Sequence, residues 1–182
     1  MMPQSTETLT TPPTGAANAQ WHNCLTFRLH GEEYGIDLLC VREIRTYEKP
    51  NWIAGAPGFI PGVLNMRGEI VPIVDLRLRF GLAAEFGATT VTVVVSVAER
   101  TVGLVVDSVS DVVELAPEDI KAAPNFHGAV DARFVTRLGL IRQAEHERML
   151  ILLDIERFLA TLATDPVADR PILQNPSIGL PS

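Results

Sequence analysis

The run Pro61-Gly62-Val63-Leu64-Asn65-Met66-Arg67-Gly68-Glu69-Ile70-Val71-Pro72-Ile73-Val74-Asp75-Leu76 constrains the chain more than any other stretch. An apolar approach, Val63-Leu64, leads into a polar turn, and an apolar run from Ile70 to Val74 leads out. Asn tolerates a left-handed backbone and Gly has no side chain to clash there, so the pattern predicts a β-hairpin with its tip at Met66 to Glu69. Proline cannot donate to a sheet ladder, so Pro72 marks the second arm as an edge strand or a bulged one. Asp75 fits a helix N-cap over one short turn, Leu76 to Phe80, stopped by Gly81. Turn chemistry alone accounts for Asn65 and Gly68. It does not account for Arg67, a long cation at a tip between apolar arms, which must find solvent, a carboxylate or a partner.

The rest of the chain reads as short strands. Leu25, Phe27 and Leu29 alternate with Thr26, Arg28 and His30, which predicts a half-buried strand. Tyr34 to Asp37 returns after a turn at Gly31-Glu32-Glu33, and Asp37 fits a cap on a helical turn through Leu38, Leu39 and Val41. Residues 45–58 form a loop broken by Pro50, Gly55 and Pro57, with Trp52 and Ile53 expected to pack beneath it. Thr90 to Val97 is a β-branched strand, Thr101 to Asp107 returns, and Gly103 within it marks a bulge or a close backbone approach. Ser108 to Leu115 continues extended, as a crossing between sheets. After a brief turn at Pro117 to Ile120 and a loop over Ala122 to Asp131, strands follow at Arg133 to Arg142 and Arg148 to Leu153. Asp154 caps a terminal helix, residues 155–162. Residues 1–20 and 163–182 carry Pro, Thr and Ala without apolar periodicity and are expected to be disordered tails. Many short strands with Gly and Pro turns point to an all-β barrel or sandwich.

Composition narrows the function. In 182 residues, 47% hydrophobic and 20% charged, there is enough apolar material for a sizeable core. A formal net charge of −7 disfavours a nucleic-acid partner, which needs a basic face. No apolar run approaches the ~18 residues that a membrane span needs, and no secretory signal is present, which is the pattern of a cytoplasmic protein. Cys24 and Cys40 are too far apart for a metal knuckle and read as reduced thiols. His22, His30, His127 and His146 lie at turns, strand ends or the tail edge, without ligand spacing. Asp107, Asp111 and Glu114 read as a solvated charged edge that discourages strand pairing, ahead of a weak cation site. No phosphate-binding or nucleophile motif appears, so no cofactor and no catalysis are expected.

Glu43 is the natural carboxylate for Arg67, on the view that the arginine is partly buried. Two roles stay open for Arg67, a clamp on the hairpin and a contact for a partner. Val41 and Ile44 fit core or surface. Phe126, in a Pro-containing loop, fits core or an exposed anchor.

The run GVLNMRGEIVPIVDLR resembles the signature of the CheW family of bacterial chemotaxis coupling proteins. EEYGIDLLCVREIRTYE, VGLVVDSVSDVVEL and RMLILLDIERFL resemble further family segments in the expected order, so the likeness covers about residues 22–160. Met66 stands where the family more often has leucine, a volume-conserving change. The resemblance implies a mainly β fold of two five-stranded Src-homology-3-like barrels packed side by side, with short helical turns and a C-terminal helix. The CheW-like domain would span residues 21–162, lobe one built mainly from roughly 30–85 and lobe two mainly from roughly 86–150, with room for the chain ends to cross between lobes. It implies a non-catalytic adaptor that couples the cytoplasmic tips of chemoreceptors (methyl-accepting chemotaxis proteins) to the regulatory domain of the histidine kinase CheA, within rings that include other CheW-like domains. It would lie in the cytoplasm, recruited to membrane-associated receptor arrays. Carried over by motif, the receptor-facing residues are Val41, Glu43, Gly62, Asn65, Arg67, Gly68 and Val112, and the kinase-facing residues are Ile44 and Phe126. A coupling module for a related, non-flagellar kinase pathway is the alternative. The regulatory lobe of a longer kinase is disfavoured by the starting Met and the lack of phosphotransfer or ATP-binding segments.

Overall fold

The computed structural model describes residues 23–124 and 133–164. The expected N-terminal tail, nearly all of the C-terminal one, and Phe126 with its loop lie outside them. The chain opens with antiparallel strands β1 (Asn23–Leu29) and β2 (Glu32–Asp37). A 3-10 turn, Leu38–Cys40, follows, and the Asp37 side chain accepts a hydrogen bond from the Leu39 amide as its cap. Strand β3 (Val41–Thr46) leads into a loop, then the central hairpin, β4 (Gly62–Met66) and β5 (Glu69–Asp75). The short helix α1 (Leu76–Arg79) is capped by Asp75, which accepts from the Arg77 and Leu78 amides. Strands β6 (Val91–Val97), β7 (Arg100–Val106) and β8 (Ser108–Glu114) follow, then a 3-10 turn at Pro117–Asp119. Strands β9 (Ile120–Ala122), β10 (Val135–Gln143) and β11 (His146–Leu153) and the helix α2 (Ile155–Thr164) complete the described chain.

The strands form two sheets. One is ordered β8-β1-β2-β11-β10-β9, the other β3-β6-β7-β5-β4. The fold is thus mainly β, in two sheets with few helices, as expected. The division of the chain differs from the expected one. Strands β3 to β7 build the five-stranded sheet, while β1 and β2 join β8 to β11. The chain changes sheet after Asp37 and again at Asp107, not near residue 85. Parallel pairing decides this, because β5 runs beside β7 and β2 beside β11, and neither partner is its neighbour in sequence.

Three apolar clusters follow from this topology. Leu64, Met66, Val71, Ile73, Val94 and Val105 fill the inner face of the five-stranded sheet. Cys24, Val113, Leu115, Ile141, Leu150 and Leu152 fill that of the other. The largest cluster lies between the sheets and takes Leu25, Phe27, Leu29 and Tyr34 from one, Val93, Val95, Leu104 and Val106 from the other. Strands at this seam are therefore covered on both faces. That explains the unbroken apolar runs in β6 and β7. It also corrects the half-buried reading of β1, where Cys24 and Thr26 are as fully buried as Leu25 and Phe27. Gly103 is a close-approach glycine, since a Cβ there would lie 2.6 Å from Ile73 Cδ1 and 2.9 Å from Thr92 Cγ2.

Two local expectations fail. Pro72 does not sit on an edge strand or at a bulge, since β5 lies between β4 and β7. The β5–β7 pairing begins one residue later, at Ile73, so the proline's missing donor is not needed there. Trp52 and Ile53 do not pack beneath their loop, and they are 77% and 44% exposed. Main-chain bonds hold that loop instead: Asn51 N donates to Val63 O at 2.8 Å, and Val63 N returns a bond to Asn51 O at 2.9 Å. Asp154 caps α2 as expected by accepting from the Arg157 amide, and the helix runs two residues beyond the expected end, to Thr164.

Candidate functional site

The hairpin tip is a two-residue turn. Arg67 has φ 55° and Gly68 φ 86°, with Met66 paired to Glu69 across it. Positive φ at both central positions is the type I′ geometry, whose twist matches that of the flanking strands. Asn65 ties the turn internally, its Oδ1 accepting from the Gly68 amide at 2.9 Å. Gly68 suits this geometry, whereas Arg67 does not. A non-glycine residue in the left-handed region costs about 1–2 kcal/mol, a cost that His30, Ala98, Glu99 and Ala144 bear as well.

Arg67 meets Glu43 as expected, Nη2 to Oε2 at 3.3 Å. The premise of partial burial is wrong, because the Arg67 side chain is 77% exposed and Glu43 25%. The hairpin projects its tip into solvent, and only the carboxylate is sheltered. A second pair lies beside the first, with Arg42 Nη1 2.7 Å from Glu69 Oε2. The same Arg42 nitrogen is 3.4 Å from Thr101 Oγ1. Arg42 lies above its usual arginine pKa and Glu69 below the usual carboxylate range, chiefly through the hydrogen bond they share.

The remaining sequence-derived residues fall into groups. Asn65 and Gly68 are exposed on the tip with Arg67. Val41 is half-buried at the start of β3 and packs against the seam cluster, while Ile44 is 45% exposed. Val112 is 51% exposed on β8, at the edge of the other sheet. Gly62 is buried and presents no surface to a partner. A Cβ there would fall 2.0 Å from Asn51 O, so Gly62 exists to admit that backbone. Phe126 lies outside the described residues. A groove of about 330 Å³ runs between α2 and the sheet, past Ile60, Pro72, Val102, Leu159 and Leu162.

Sequence reasoning missed the buried ionic network behind the hairpin. Arg77 is 0% exposed. Its Nη2 lies 2.8 Å from Asp75 Oδ2 and its Nη1 3.0 Å from Asp107 Oδ1. Nη1 also donates to the Glu85 carbonyl, and the guanidinium lies 4.7 Å from the Phe86 ring centre. Burial opposes the Arg77 charge, but its hydrogen bonds to Asp75 and Asp107 outweigh this and raise its pKa above the usual value. Asp107 Oδ2 accepts from the His30 amide at 2.7 Å, which ties in the β1–β2 turn. Asp107 is thus drawn into a buried network, whereas Asp111 and Glu114 stand exposed on the edge strand β8, the charged edge expected of them. Asp111 accepts from the buried Thr26 hydroxyl and pairs with Arg148 at 3.5 Å. The signal was present in Asp75-Leu76-Arg77. A cap fixes Arg77 within one turn of a buried strand end, which leaves it no route to solvent. No group of three or more His, Cys, Asp or Glu among the described residues could hold a metal ion. No helix among the described residues is long and apolar enough to cross a membrane.

Two packed β-sheets, an exposed ion-paired hairpin tip and, among the described residues, no metal-ligating cluster define the class, a two-sheet β domain with a charged projecting hairpin. The profile of the CheW-like domain matches residues 23–163. The chain is 47% identical over 138 residues to the chemotaxis protein CheW of Klebsiella aerogenes, covering 75% of this chain and 81% of that one. It is 34% identical over 133 residues to the chemotaxis protein CheW of Rhizobium meliloti, covering 72% and 83%. The crystal structure of the scaffolding protein TtCheW from Thermoanaerobacter tengcongensis superposes with a TM-score of 0.65 at 28% identity, covering 73% of this chain and 88% of that one. The chain belongs to the CheW family of chemotaxis scaffolds and adaptors, and it is not an enzyme.

Proposed function

We propose that this chain couples the cytoplasmic tips of chemoreceptors to the regulatory domain of the histidine kinase CheA, in the cytoplasm at membrane-associated receptor arrays. Family membership supports the class of function. The observation that carries the site is Arg67, a cation at the hairpin tip, 77% exposed and steered by one carboxylate. The receptor-facing surface comprises Val41, Glu43, Asn65, Arg67 and Gly68, with Val112 on the other sheet. Gly62 supports it from beneath. Ile44 faces the kinase, and Phe126 is assigned to the same contact. An amphipathic receptor helix lays its apolar ridge along the domain and sets an acidic side chain against Arg67, the helix-in-groove mode of recognition.

Coupling is then linkage. The adaptor binds both partners, and a shift in the receptor changes kinase activity through their shared binding free energy. Individually weak contacts add up in an array through effective concentration.

The test is co-sedimentation of the purified protein with a receptor signalling-tip fragment and the CheA regulatory domain, separately and together, beside a kinase assay. Binding to both, with receptor-dependent kinase activation only in the three-part mixture, is the expected result. A folded protein that binds neither overturns the reading.

A further inference from the structure

The two ion pairs at the hairpin tip are built from neighbours on β3. Arg42 reaches Glu69 and Glu43 reaches Arg67. In a regular strand, successive side chains point to opposite faces, so neighbours cannot both reach one tip. Here the β3–β6 register slips between Val41, opposite Val95, and Glu43, opposite Val94. Arg42 is the extra residue of a bulge, a feature that re-aims side chains. The bulge turns both charges toward the hairpin.

Strand β3 pairs only with β6, and the hairpin strand β5 only with β4 and β7. No backbone ladder joins β3 to the hairpin. The backbone bonds of Asn51 to Val63 hold the base of the hairpin, so at the tip the junction with β3 rests on side chains, and the Arg42–Glu69 pair, at 2.7 Å and beside Thr101 of β7, is the tighter of the two. Glu69 faces the same side as Met66, Val71 and Ile73, which line the sheet's inner face, so Arg42 closes the mouth of this lobe. Arg67 is the third residue in line. Its backbone position follows from the turn, and the turn is held against β3 by Arg42 and Glu69.

We propose that Arg42 and Glu69 are positioning residues, whose ion pair holds the hairpin tip on β3 and so presents the Arg67 guanidinium to an acidic group on the partner helix. This rests on the coupling function proposed above and adds the device that orients its central contact. Both side chains are nearly half exposed, 47% and 43%, so the pair contributes little to global stability while fixing a local geometry.

The experiment uses the full chain with Arg42→Glu, Glu69→Arg, the double charge swap and Arg67→Ala. The readouts are affinity for a receptor signalling-tip fragment, melting temperature, and backbone order of Arg67 and Gly68 by nitrogen-15 relaxation. Each single reversal is expected to weaken binding by about fivefold and to loosen the tip. The double swap is expected to restore both, at nearly constant melting temperature. Singles that bind and order the tip as the parent does, or a double swap no better than either single, overturn the positioning role. Loss of binding in Arg67→Ala with neutral single reversals overturns this inference alone. Full binding by Arg67→Ala overturns the tip as a docking point, and the inference with it.

Discussion

Arg77, in the turn after the central hairpin, and Asp107, where the chain crosses between the sheets, form an ion pair with Nη1 3.0 Å from Oδ1. One partner is wholly buried, the other a third exposed. Asp107 also holds the β1–β2 turn through the His30 amide, so this pair joins elements of both sheets.

Removing one member of a buried pair strands the other. Arg77→Met leaves Asp75, 1% exposed, without its cation, and should cost about 3–5 kcal/mol of unfolding free energy. Asp107→Asn keeps the Arg77–Asp75 contacts and should cost about 1–2 kcal/mol. Urea denaturation of both variants checks the order, and equal losses would show that Asp75 is not the residue stranded.

The hairpin glycines should respond differently to the same methyl group. Gly62→Ala drives a Cβ to 2.0 Å from the Asn51 carbonyl and must displace that loop. Gly68→Ala meets nothing within 4 Å and pays only for its φ of 86°, about 1 kcal/mol. Thermal melts should show a drop for Gly62→Ala several times that for Gly68→Ala.

Arg67→Ala should separate binding from stability. An exposed ion pair contributes about 0–1 kcal/mol, and removing the side chain leaves Glu43 still in contact with water. The melting temperature should stay within a few degrees while receptor-fragment affinity falls. A large fall in melting temperature with unchanged affinity would assign Arg67 to the clamp role.

Alkali should destabilise the fold through its thiols, Cys24 buried and Cys40 half-buried. Burial, with the Asp37 charge, pushes Cys24 from 9.0 up to about 12, and burial with Asp37, Asp154 and Glu156 pushes Cys40 up to about 11. In that range the unfolded chain has released protons that the folded chain still holds. Stability contributed by the neutral thiols is therefore complete below pH 9 and lost progressively toward pH 12. Tyr34, pushed up to about 12 by burial and the Glu32 charge, adds to the loss. Denaturation midpoints measured from pH 8 to 11 should fall, and Cys24→Ala should flatten the slope. An unchanged slope in that variant would remove Cys24 from the effect.

Much of the local structure was legible because its causes are local. Gly68 and Asn65 set the turn, Asp37, Asp75 and Asp154 cap their helical turns, and alternation marked the strands. The Glu43–Arg67 pair was legible because a long cation at a turn between apolar arms calls for a carboxylate, although Arg67 is exposed and not partly buried as that reading supposed. The exposure of Trp52 was not, since a tryptophan in a loop reads as core until the Asn51–Val63 bonds show that backbone holds the loop. Nor was the burial of Arg77, because arginine is almost always read as surface.

Strands, turns, caps, family and charged tip were all legible along the chain, because each depends on residues near one another or on motif order. Only the tertiary structure decided which strands share a sheet, that β1 is buried on both faces, that Gly62 serves a neighbouring backbone, and that Arg42 stands beside Glu69. These depend on contacts between segments distant in the chain: parallel pairings of β5 with β7 and β2 with β11, the Asn51–Val63 bridge, and a side-chain pair from β3 to β5. Alternation along one strand records which residues are apolar. It carries no record of what lies across from them.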